Sequence, residues 1–215
     1  MTKELPLTEP IDHAHAPTPQ IRWARVVSDL ISPPVVWAVL AFPIAARADA
    51  NPQRALLWAA IYAVLVCIVP VVFIAVMVQR GLITDIHIKV RRQRIIPFIV
   101  TIVCAAIAFV VLLALQAPLL ITLFALFSLL QIVVMLIVTT RWQISMHAMA
   151  ISGAVVAVFA LFGGLAGLLV SPVIALVGAA RIVLKRHTLA QVIAGAFVGG
   201  GMTALLFFLI VPNLL

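Results

Sequence analysis

Charge is scarce in this chain, and acidic charge most of all. Six Asp and Glu and 14 Lys and Arg make up 9% of 215 residues. An ordinary soluble domain carries roughly 25%. Apolar residues reach 66% and the mean hydropathy is +1.30. A water-soluble fold of this length must present a polar surface, and these residues cannot supply one. That excludes a soluble enzyme, a disordered regulator and a DNA-binding domain with a basic face. The net charge of +8 is not a nucleic-acid footprint, because the bases are dilute and punctuate apolar runs. In a membrane protein such bases report orientation or contact anionic lipid. Cysteine is nearly absent as well. Cys67 and Cys104 both lie inside apolar runs, which argues against a disulfide framework or a zinc site.

What the chain does contain is a succession of apolar stretches with short breaks. Residues 1–20 are polar, acidic and proline-rich and do not resemble a signal peptide. They read as a flexible tail before a single membrane-embedded domain over 21–215. His13 and His15 in that tail read as solvated polar residues. A helix needs about 20 apolar residues to cross the hydrocarbon core. The expected spans are 26–46, 55–78, 95–115, 119–139, 145–162, 168–184 and 189–211. The first contains Asp29 and Pro33-Pro34, so it is expected to be kinked or re-entrant. The fold class is therefore all-α, a polytopic transmembrane bundle of six or seven spans.

The basic residues divide unevenly between the two ends of these spans. Twelve lie in the tail and in the loops at 79–94, 140–143 and 181–187, against two, Arg47 and Arg54, on the opposite side. The positive-inside rule places the richer side in the cytoplasm. The expected location is a cell membrane, bacterial or archaeal. Some of these bases also belong to three polar stations on that same face, so they do not all vote on orientation.

Ionisable residues at the ends of helices in an apolar protein are functional candidates. The first station holds Asp85, His87, Lys89, Arg91, Arg92 and Arg94 before Pro97. The second holds Ser145 and His147, and the third Arg181, Lys185, Arg186, His187 and Gln191. Several cations with two histidines and almost no acid suit phosphoryl transfer. Fixed Arg and Lys donors match the charge on a phosphate's equatorial oxygens. One histidine can attack phosphorus, and another can protonate the leaving alkoxide and then activate water. The shortage of carboxylates argues against a magnesium site, and no cofactor is expected.

In order and spacing these stations resemble the type-2 phosphatidic acid phosphatase family, the lipid phosphate phosphatases related to vanadium haloperoxidases. That family carries K-x6-R-P, P-S-G-H and S-R-x5-H-x3-D. Arg181, His187 and Gln191 reproduce the spacing of the third motif, Ser145 and His147 keep two residues of the second, and Lys89 and Pro97 keep the frame of the first. The resemblance covers about residues 80–200. It implies that His187 is the nucleophile and His147 the general acid, with Lys89, Arg181 and the Ser145 hydroxyl on the phosphate. It implies a metal-independent hydrolase acting on phosphatidic acid, phosphatidylglycerol phosphate or an isoprenoid phosphate or diphosphate. Partners would be membrane lipids and the lipid phosphate, with no nucleic acid. Members of the family often act on the outer face, opposite to the side expected from the charge count.

Five positions depart from the motifs, and Ile144, in place of the Pro of the second, is one. Ile96 stands in place of an Arg, and either Arg94, two residues earlier, or Arg92, four earlier, is expected to reach the phosphate instead. Met146 replaces Gly, Ala180 replaces Ser, and Gln191 replaces the Asp that orients the nucleophile. The Gln191 carbonyl can accept the imidazole N–H but offers no negative charge to the imidazolium. Slower chemistry than the full motif gives, or a different substrate, is expected.

Structural readings compete at several positions. Ser145 also reads as a helix N-cap, with His147 a satisfied polar residue beside it. Lys185, Arg186 and Arg91 read as headgroup or topology charges, and Asp85 and His87 as loop polarity. Trp23, Trp37, Trp58 and Trp142 read as interfacial anchors. Asp29 reads either as the partner of a site arginine or as a helix-start residue. Gly195 and Gly199 form a G-x-x-x-G that reads as close packing within the bundle. Rival functions are a family member that binds lipid phosphates without hydrolysing them, and a small lipid or anion transporter. The transporter reading is disfavoured by charges at span ends and the lack of a visible repeat.

Overall fold

The hydropathy pattern forces the backbone to satisfy its own hydrogen bonds, and helices do this within one segment. The structure, a computed structural model, describes residues 19–84 and 91–214. It is mostly helical, with no strand among the described residues. Lys89, Asp85, His87 and the tail residues 1–18 lie outside the described residues. Besides a 3-10 turn at Arg91–Arg94, eight longer helical segments follow in order among the described residues: α1 Pro19–Leu30, α2 Pro33–Ala48, α3 Pro52–Gln79, α4 Ile95–Ala114, α5 Leu119–Thr139, α6 Met146–Phe162, α7 Gly164–Val183 and α8 Leu189–Asn213. Five of them, α3, α4, α5, α7 and α8, are long and apolar enough to cross a membrane, and the α1–α2 pair makes a sixth if it is one span.

The expected kink in the first span is present: α1 and α2 meet at 44° around Ile31-Ser32. Proline explains it. Pro33 opens α2, where its missing N–H costs nothing, and it cannot continue a helix from α1. Pro52 opens α3 behind Asn51, whose side-chain oxygen accepts the Gln53 and Arg54 N–H groups at 3.0 and 3.2 Å. Asp49 completes this turn by accepting from Asn51 N–H at 2.9 Å, Arg54 Nη2 at 3.0 Å and Trp58 Nε1 at 3.2 Å. The Asn51 hydrogen bond holds the Asp49 carboxyl below its usual range, against the effect of burial. Gly163, at φ +90°, supplies the left-handed turn between α6 and α7.

The bundle is built around α6. It is 17 residues long, about 25 Å at the usual helical rise, and almost all of its first three turns are buried. Its closest neighbour is α8. A Cβ on Gly195 would overlap the Ser145 carbonyl, and one on Gly199 the Met149 carbonyl. The G-x-x-x-G therefore serves packing inside the bundle, letting two backbones touch where any other residue would hold them apart. Ser152 Oγ donates to the Ala196 carbonyl at 2.8 Å across the same crossing. On the far side, Tyr62 of α3 shares a hydrogen bond with Ser128 of α5 at 2.6 Å and stacks on Phe124. The up-and-down order brings the α1–α2 break, the start of α4, the start of α6 and the α7–α8 turn to one end of the bundle.

Candidate active site

At that end lies a cavity of about 400 Å³. Arg94, His147, Arg181 and His187 all line it, so three separated stretches of sequence converge on one space. Asp29 and Ser32 reach it from the α1–α2 break. The rest of the wall is mostly apolar, with Val71 and Ile74 of α3, Phe98 of α4 and Met146 of α6.

Each polar residue is set by its helix end. Arg181 sits in the last turn of α7 and is 3% exposed. Its Nη1 donates to the Ser28 hydroxyl of α1 at 2.5 Å. That hydroxyl also lies 3.4 Å from His147 Nε2, which is 3.1 Å from the Ser28 carbonyl oxygen. A carbonyl only accepts, so this contact places a proton on Nε2 of His147. Arg94 stands just before α4. With its oxygen turned to the guanidinium, the Gln143 amide accepts from both Nη1 and Nη2 of Arg94 at 3.1 and 2.6 Å.

His187 lies in the turn between α7 and α8 rather than on a helix. It is buried, and its Nδ1 makes no hydrogen bond of normal geometry. Burial, then the positive charges of Arg181 and Arg94, push its imidazole down to about 4. Hydrogen bonding involving the Gln191 side chain and the Gln143 backbone opposes that drop. The ring is therefore neutral at pH 7, the form that carries a nucleophilic lone pair. Asp29 is close enough for its charge to act on Arg181.

Two expected site residues serve as caps. Ser145 is fully buried and is the N-cap of α6, accepting Ala148 N–H at 3.3 Å. Its own N–H donates to the Gln191 carbonyl oxygen of the backbone at 3.0 Å. Gln191 closes a capping box at the start of α8: its side-chain oxygen accepts Thr188 N–H at 2.9 Å, and its N–H donates to Thr188 Oγ1 at 3.4 Å. Ser28, Ser32 and Gln143 were missed. No local signal marks Ser28, because its partners are 119 and 153 residues away.

Among the described residues no three His, Cys, Asp or Glu side chains gather to hold a metal. No family model, curated protein or solved structure matches this chain.

Proposed function

We propose that the protein is an integral-membrane lipid phosphate phosphatase that works without a metal through a phosphohistidine. The observation that carries this reading is the convergence of Arg94, Arg181, His147 and His187 on one cavity whose other walls are largely apolar. Arg94 and Arg181 neutralise the phosphate oxygens. The neutral His187 attacks phosphorus, the bond to the lipid oxygen breaks, and His147, entering the step as an imidazolium, keeps its Nε2 proton on Ser28 and delivers its Nδ1 proton to the leaving alkoxide. Water, deprotonated by His147, then displaces His187 and releases inorganic phosphate. Lys89 remains a proposed phosphate ligand. Val71, Ile74 and Phe98 offer the substrate's apolar tail a place beside the phosphate site.

The second reading, lipid phosphate binding without turnover, is favoured by one feature: Gln191 gives its side-chain oxygen to Thr188, and His187 Nδ1 makes no hydrogen bond of normal geometry. One assay separates the two. The purified protein in detergent with EDTA should release phosphate from a panel of phosphatidic acid, phosphatidylglycerol phosphate and isoprenoid phosphates, and His187→Ala should stop it. No release across the panel, with retained binding of the same lipids, sinks the enzyme.

A further inference from the structure

Between α1 and the C-terminal end of α7 the structure encloses a second cavity, of about 500 Å³. It shares Asp29 and Arg181 with the first, while Arg25, Lys185 and Arg186 line this one alone. Four cations thus face one carboxylate. Ser28, 1% exposed and bonded to Arg181, stands in its wall. Arg181, which lines both cavities, has its Nε buried without a hydrogen-bond partner, a donor whose desolvation is uncompensated.

The backbone at Lys185 points the same way. After α7, Arg186 N–H bonds to the Arg181 carbonyl at 3.0 Å and Lys185 N–H to that of Ile182 at 2.8 Å. These are the bonds of a Schellman cap, whose left-handed position usually holds Gly. Here it holds Lys185, at φ +52°. An L-residue in that region costs roughly 1–2 kcal/mol. Lys185 stands at this left-handed position in the wall of a cavity that also holds three arginines. α1 adds the setting. It buries Ala24 and Ser28 on one face and exposes Arg22, Trp23 and Arg25 on the other, as a helix lying at headgroup level does.

We propose that this second cavity, which meets the reaction cavity at Arg181, is a binding site for a phosphate-bearing anion, built by Arg25, Arg181, Lys185 and Arg186. Guanidiniums present paired N–H donors that match phosphate oxygens, and an ammonium adds a point charge. The anion is either free orthophosphate or the phosphodiester of an anionic lipid headgroup. This inference holds whether or not the protein turns over a substrate.

The test uses the full chain in detergent, carrying His187→Ala so that no phosphohistidine forms. One arm measures radiolabelled orthophosphate by equilibrium dialysis. The other measures retention of phosphatidylglycerol against phosphatidylcholine by native mass spectrometry. Arg25→Gln with Lys185→Gln should weaken one probe at least tenfold, and the binding should fall as salt rises. Lys185→Gly guards against misfolding: it relieves the left-handed strain, so its unfolding midpoint should hold or rise while binding still drops. Loss of orthophosphate identifies a free-phosphate site, and loss of phosphatidylglycerol a headgroup site. If the parent binds neither probe above the phosphatidylcholine background, or if both variants bind like the parent, the proposal is overturned. Failure of phosphate release in the phosphatase assay leaves this result untouched.

Discussion

Ser28 holds Arg181 with its hydroxyl, at 2.5 Å, and receives His147 Nε2 on its carbonyl, at 3.1 Å. One residue of a surface helix thus ties the proposed general acid to a proposed phosphate ligand. A hydrogen bond to a charged group contributes about 1.5–3 kcal/mol. Ser28→Ala should therefore lower kcat/KM by about tenfold or more, and Ser28→Thr, which keeps the hydroxyl, should restore most of it. Equal losses in the two variants would show that only packing matters there.

The neutral His187 makes a pH prediction with a definite sign. Its folded value of about 4 lies below the unfolded value of 6.5, so between these pH values the unfolded chain binds more protons. Stability from this group is complete above about pH 6.5 and is lost as pH falls toward 4. Thermal unfolding in detergent should become easier across that window, and His187→Asn should flatten the slope. The acid limb of kcat/KM should likewise fall near pH 4 rather than near 6.5.

The α6–α8 crossing predicts opposite outcomes for two glycines of one helix. Gly199→Ala drives a Cβ into the Met149 backbone, which cannot move aside as a side chain can. An overpacking cost of about 1–3 kcal/mol or more is expected, seen as a large drop in unfolding midpoint. Gly201 has open space where its Cβ would go. Gly201→Ala should be tolerated or stabilise the helix by up to about 1 kcal/mol.

Gln191 is predicted to matter first for stability. Gln191→Ala opens the capping box and should cost about 1 kcal/mol. Gln191→Glu keeps the box and brings a carboxylate toward His187, so it should move the acid limb of activity to higher pH. An unchanged limb would mean that Gln191 does not reach the imidazole electrostatically.

The basic end of the bundle is expected to face the cytoplasm. Cys67 and Cys104 are buried, so a cysteine placed at the exposed Thr140 should be the main target of a maleimide. A membrane-impermeant reagent should label Thr140→Cys in lysed cells and not in intact ones. Labelling of intact cells would put the cavity on the outer face.

Much of the fold was legible in the residues themselves. Hydropathy is a local property, and a backbone in hydrocarbon has few options, so the span ends at Ile95, Leu119 and Thr139 fall where the apolar runs begin and end. The bend at Pro33 and the close approach at Gly195 and Gly199 were legible for the same reason: each follows from what one residue lacks. The candidate site was legible as an order of stations, because helix polarity alone sends Arg94, His147, Arg181 and His187 to one end. What each side chain does there was decided by the tertiary structure. Gln191 sits three residues after Thr188, and the nearer backbone N–H took its oxygen. Ser145 was taken by its own helix. Ser28 and Gln143 joined because folding brought α1 and the α5–α6 turn against residues far along the chain. Composition and periodicity determined a helical membrane bundle with cations at one end. Which of those cations share a cavity, and which hydroxyl stands between them, depended on contacts at long sequence separation, which no local pattern encodes.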